Sequence, residues 1–179
     1  PEIVRYLVEG GTPTADLVDQ VTQVGQDALE RGLKDPVFVE ALWFLIRIPQ
    51  AAATPDLPNW CQDLDPALAT SPSFSEMLVA YDAALERVQR CSDAGATDLG
   101  EMARQAGLAA LAEAVRDGLP GLWAPTAEDV RHAVATLARP DWFAKMAHRF
   151  YANFVERVIH YYIDRNLHHM VGPGRVARS

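Results

Sequence analysis

Residues Pro140 to Met170 read PDWFAKMAHRFYANFVERVIHYYIDRNLHHM, and this stretch decides the fold. It carries seven of the chain's fifteen aromatic residues: Trp142, Phe143, Phe150, Tyr151, Phe154, Tyr161 and Tyr162. No Gly or Pro lies between Asp141 and Val171, so nothing interrupts a helix there. Such a helix spans about 45 Å at 1.5 Å per residue. Met146, Phe150, Phe154, Val158 and Tyr161 form one apolar stripe, and Phe143, Ala147, Tyr151, Val155, Ile159 and Tyr162 an adjoining one. Together they are wider than the ~100° apolar face of an ordinary surface helix. The spacing therefore predicts a long last helix, central or lying along a groove, wrapped by two or three others. Only a narrow strip, Lys145, Arg149, Asn153, Glu156, His160 and Asp164, is left for water or a partner.

Working outward, the rest of the chain also reads as helices. Pro1 to Glu9 suggests a short one, stopped by Gly10 and Gly11. Thr14 offers an N-cap for a helix running to Gly32, with Leu17, Val21, Val24 and Ala28 at helical spacing. Gly32 followed by Leu33 has the form of a left-handed stop with a hydrophobic anchor. Pro36 suits a first helical turn. The segment it opens, PVFVEALWFLIRI, is apolar nearly all round, which predicts burial. Pro49 is expected to end that helix near Ile48. Glu40 and Arg47, seven residues apart, share one face of it, most simply as a polar seam.

Gln50 to Pro72 carries Pro55, Pro58, Pro66 and Pro72 and reads as a long connection with a helical turn over Asn59 to Leu64. Ser73 and Glu76 form a capping box for a helix to Asp93, with Phe74, Met77, Leu78, Tyr81, Leu85 and Val88 inward and Cys91 continuing the stripe. Thr97 or Asp98 caps the next helix. Its small residues Ala103, Ala106, Gly107, Ala109 and Ala110 permit close helix approach. Gly118-Leu119 repeats the stop signal of Gly32-Leu33. Thr126 and Asp129 form a second capping box, and the helix they open runs to Ala138. The fold expected is all-α: a compact bundle of about six or seven helices, residues 1–171 as one domain, with 172–179 as a flexible basic tail. Leu42, Phe44, Leu45, Leu78, Tyr81, Leu85, Phe150, Phe154 and Val158 are the expected core.

Composition narrows the function classes. A chain of 179 residues is long enough for one real core. Net charge is −8, which argues against a general nucleic-acid binder, since that needs concentrated Lys and Arg. Fourteen Arg against two Lys, with abundant Ala, is the compositional mark of a GC-rich bacterial source. Cys61 and Cys91 form neither a metal motif nor a disulfide framework, which suits reduced thiols in a cytoplasmic protein. No basic segment followed by an apolar run opens the sequence, so no signal peptide is expected. The longest strongly apolar run, Ala41 to Ile46, is far short of the ~20 residues that span a bilayer, so no membrane segment is expected.

One polar line is a candidate for chemistry. Glu156, His160, Asp164 and His168 recur every fourth residue, which makes them neighbours on one helix face. Ligands on helix faces build metal sites inside bundles. The di-iron pattern needs Glu-x-x-His, however, and this chain has Glu156-x-x-x-His160; HExxH is absent. A solvated face with weak i,i+4 pairs explains the same residues. His168 and His169 at a helix C-terminus suit the helix dipole. No nucleophile elbow, phosphate loop or dinucleotide fingerprint occurs, and no cofactor is called for.

The sequence therefore favours a non-catalytic helical interaction subunit, an adaptor, scaffold or regulatory component of a bacterial multiprotein assembly. Its partner would be another protein subunit or a second copy of itself. Candidate contact residues are Trp60, in the Pro-rich connection, Trp123, Tyr151, Tyr162, Arg175 and Arg178. The alternative is a metal- or ligand-binding helical bundle using Glu156, His160, Asp164 and His168. A nucleic-acid-associated subunit would have to rest on a local Arg cluster such as Arg175 and Arg178.

Overall fold

A computed structural model of the chain describes residues 14–68, 71–93, 95–121 and 124–170, apart from the side chains of 14–17, 20 and 166–170. Among the described residues the fold is all-α, built from six helices: α1 (Thr14–Gly32), α2 (Pro36–Ala53), α3 (Phe74–Cys91), α4 (Asp98–Gly118), α5 (Ala127–Thr136) and α6 (Pro140–Met170). The segment Pro1 to Glu9 lies outside the described residues.

Helix starts follow local chemistry. Both capping boxes form: Ser73 with Glu76 opens α3, and Thr126 with Asp129 opens α5. Each side chain satisfies a backbone N–H that has no intrahelical partner. Thr97 caps α4 through a bond from Gly100 N. At α2, Asp35 accepts from Val37 N at 2.9 Å and Phe38 N at 3.3 Å, ahead of Pro36 in the first turn. The Thr97 hydroxyl also donates to Asp35, so one buried carboxylate ties the starts of α2 and α4 together.

The helix at the centre is α4, not the long α6. It packs against all five others, and most closely against α6. Its buried face is Ala103, Ala106, Gly107, Ala110, Leu111, Ala114 and Val115, small enough to let neighbouring helices come close. Tyr81 of α3 fills the space beside Gly107, where a Cβ would stand 2.2 Å from the phenol oxygen. α6 lies against α4 and α1 and buries one of its two expected stripes: Met146, Phe150, Phe154 and Val158. The second stripe, Phe143 to Tyr162, is half-buried or exposed. Phe38 of α2 joins the rings, 5.3 Å from Phe150 and 4.8 Å from Phe154. Of the expected core, Phe44, Leu45, Tyr81, Leu85, Phe150, Phe154 and Val158 are buried, while Leu42 and Leu78 are half-buried at its edge.

Several expectations are corrected. α2 does not stop near Ile48 but runs through Pro49 to Ala53. Pro49 has no N–H for the carbonyl four residues back. Its ring is nevertheless buried beside Ile48 and Ala52, which offsets the loss. Neither Gly32 nor Gly118 takes a left-handed conformation; among the described glycines only Gly95 does. They serve close packing instead. A Cβ at Gly32 would meet the Phe38 ring at 2.9 Å, and one at Gly118 would meet Ala133 Cβ at 3.1 Å. Leu33 is correspondingly exposed and anchors nothing. Cys91 is exposed rather than buried, because the last turn of α3 overruns the core.

Candidate functional site

The expected full burial of α2 also fails, and this leaves an apolar line exposed among the described residues. α2 turns Val37, Phe38, Ala41, Phe44, Leu45 and Ile48 inward. On the opposite side, Val39, Trp43 and Ile46 remain 47%, 42% and 41% exposed. Spacings of four and three residues put them in one line. Isolated apolar residues on a surface are ordinary, whereas these three are contiguous and have an aromatic centre. By length and composition α2 is also the one helix among the described residues apolar enough to cross a membrane, with a mean hydropathy of 1.2. Its inner side lies in the protein core.

The face is held rigidly. Asp35 fixes the start of α2. Arg131 of α5 grips its end, donating to Ala52 O at 3.2 Å and Thr54 O at 3.1 Å. Those are carbonyls that a helix end leaves without partners. In the middle, the Tyr81 hydroxyl donates to Ala41 O at 3.4 Å.

One edge of the line is charged. The Arg47 guanidinium sits 5.2 Å from the Trp43 ring centroid, within cation–π range, and its Nε lies 3.8 Å from Asp63. Glu40, one helical turn before Trp43, is half-buried. Burial holds its carboxyl above the usual range, and the nearby Asp63 adds to this. Asp63 is placed by its neighbours: Trp60, Cys61 and Leu64 are buried, and Arg87 donates to Leu64 O. Burial pushes the Cys61 thiol up to about 12, so it is an inert packing group.

The residues singled out from the sequence do not converge. Trp60 is only 2% exposed and pins the Pro-rich connection to the core, so it presents no anchor to a partner. Tyr151 and Tyr162 both lie partly exposed on α6. Tyr151 packs edge-on to Phe150 at 5.4 Å, and the Tyr162 hydroxyl accepts from Arg31 at 3.4 Å. Trp123, Arg175 and Arg178 lie outside the described residues, as does the side chain of His168. Glu156, His160 and Asp164 are exposed on α6. Among the described residues no three His, Cys, Asp or Glu side chains come together as a metal would require.

Sequence reasoning missed Trp43. The available signal was the apolar excess of PVFVEALWFLIRI, more than one buried face can use. Compared with known proteins, the chain matches no family model, no curated protein and no solved structure.

Proposed function

We propose that this chain is a non-catalytic helical interaction subunit of a bacterial, cytoplasmic multiprotein assembly, and that it docks through the outer face of α2. One observation carries the reading: Val39, Trp43 and Ile46 form an exposed apolar line on a helix fixed at both ends and in its middle. A preorganised aromatic anchor loses little freedom on binding, and Trp is the residue most enriched at binding hot spots. The adjoining Arg47, Glu40 and Asp63 supply a polar rim.

The test is site-specific photocrosslinking in the source cell. A photoreactive phenylalanine replaces Trp43, and a control replaces Val79, which is 68% exposed on α3. A covalent adduct of defined mass from position 43, absent from position 79, is expected. No adduct from position 43 overturns the docking reading.

A further inference from the structure

We infer that the occupant of the α2 face is a second copy of the same chain, packed as an antiparallel α2–α2 pair about a two-fold axis between Trp43 and Ile46. The inference deepens the proposed function and rests on it.

The first ground is spacing. Val39, Trp43, Ile46 and Gln50 follow one another by four, three and four residues, the seam of a coiled coil. All four are exposed. With the axis between Trp43 and Ile46, the Trp43 of each copy lies level with the Ile46 of the other, and Val39 with Gln50. Indole then packs on aliphatic carbon at both ends of the contact.

The second ground is charge. Glu40 and Arg47 are seven residues apart and flank the seam on the same edge. In an antiparallel two-fold pair, like edges of the two helices meet. Glu40 of each copy therefore meets Arg47 of the other, about two residues or 3 Å apart along the axis at 1.5 Å per residue, well within side-chain reach. A parallel pair would bring opposite edges together and lose both contacts. Arg47 can turn to this role while it lies over the Trp43 ring: its side chain is half-exposed, and its contact with Asp63 is a loose 3.8 Å. The half-buried Glu40, already disfavoured as an anion, gains a counter-charge.

A lipid surface fits less well. The rim is Glu40, Arg47 and Asp63, with one positive charge against two negative, whereas anionic headgroups select clustered Lys and Arg. The seam is one helix long, so the dimer is of the small, concentration-dependent kind rather than obligate.

Sedimentation equilibrium of the purified full chain tests this. Wild type is expected to pass from monomer toward dimer between low micromolar and several hundred micromolar. Trp43→Glu is expected to stay monomeric while still melting as a cooperatively folded protein, since the inner side of α2 is untouched. Glu40→Arg and Arg47→Glu each create two like-charge contacts per dimer, because a symmetric interface counts every change twice. Each is expected to weaken association about tenfold or more, and the double variant E40R/R47E to restore it. Persistent monomer in the wild type, a dimer indifferent to Trp43→Glu, or failure of the double variant to recover overturns the inference. Vesicle binding by the monomer, lost in Trp43→Glu, would reassign the face to lipid and equally overturn it. A monomer that still crosslinks a different protein from position 43 in cells refutes the second copy while leaving the docking reading standing. Absence of that adduct refutes the docking reading itself.

Discussion

Replacing Gly107 by alanine is the sharpest probe of how the bundle is assembled. On an open helix surface the change would stabilise by about 1 kcal/mol, because glycine carries excess backbone entropy. Here the new Cβ would stand 2.2 Å from the Tyr81 oxygen and 3.2 and 3.4 Å from two ring carbons. Tyr81 is fully buried, edge-on to Phe44 at 6.0 Å, and its hydroxyl reaches Ala41 O, so the ring has little room to retreat. Overpacking of a dense core costs about 1–3 kcal/mol. A displaced hydroxyl loses about 1 kcal/mol more. The net expectation for Gly107→Ala is a loss of about 1–3 kcal/mol, equivalent to about 2–12 °C in Tm for a chain of this size. Tyr81→Phe alone removes one long hydrogen bond and is expected to cost at most about 1 kcal/mol. It also removes the 2.2 Å contact, leaving only ring contacts that a shift of a few tenths of an ångström can relieve. Combined with Tyr81→Phe, therefore, Gly107→Ala is expected to be neutral or stabilising by up to about 1 kcal/mol. Urea melts of the four proteins at constant m value give the coupling directly, expected at about 1–4 kcal/mol. A stabilising Gly107→Ala single variant, or additivity within about 0.3 kcal/mol, refutes the placement of Tyr81 against α4.

Two further expectations can be checked with the same melts. Phe150→Ala or Phe154→Ala should each lose about 3–5 kcal/mol, since both rings are fully buried against Phe38; a loss near zero at both positions would contradict the shared aromatic cluster. Glu40→Gln should change the pH dependence of stability. Burial, with Asp63 second, raises the folded carboxyl above its ordinary 4.5. The native state thus holds that proton where the unfolded chain has released it. Stability from this group is full below the unfolded value and is lost as pH rises through the folded one. Glu101 runs the opposite way: hydrogen bonding to Arg104 lowers its carboxyl, so its contribution is lost as pH falls. At concentrations where the chain is monomeric, Glu40→Gln is expected to gain on wild type as pH rises from about 4 to 7; a stability difference that does not vary with pH counts against the buried carboxyl.

Local chemistry was legible in the sequence because it is decided by neighbours three or four residues apart. Ser73 with Glu76, Thr126 with Asp129, Thr97 and Pro36 all act where the spacing places them. What the sequence hid depends on tertiary contacts. Pro49 reads as a helix end, yet core burial carries the helix past it. Gly32 and Gly118 read as stops, yet they are apposition points for Phe38 and Ala133. The most aromatic helix reads as the centre, whereas the centre is the small-residue helix α4, since many helices can crowd round a thin one. For the candidate site, Glu40 and Arg47 were recognisable as sharing an edge, but nothing local said that the line beside them faces outward.

That outward line is better explained by docking than by folding. Val39, Trp43 and Ile46 sit where Glu, Lys or Gln would be better helix formers by some tenths of a kcal/mol each. The core does not need them, because Val37, Phe38, Ala41, Phe44, Leu45 and Ile48 already fill the inner side of α2. A polar residue at any of the three would cost the monomer only the packing of the covered part of that side chain and would make it more soluble. Val79 shows the contrast: it is more exposed than any of them, but it is a single side chain, and a lone apolar residue on a surface requires no function. Three in register, centred on an indole and edged by Glu40 and Arg47, are a local departure from what the fold itself requires. Such departures are expected at functional positions, where a demand other than stability sets the residue.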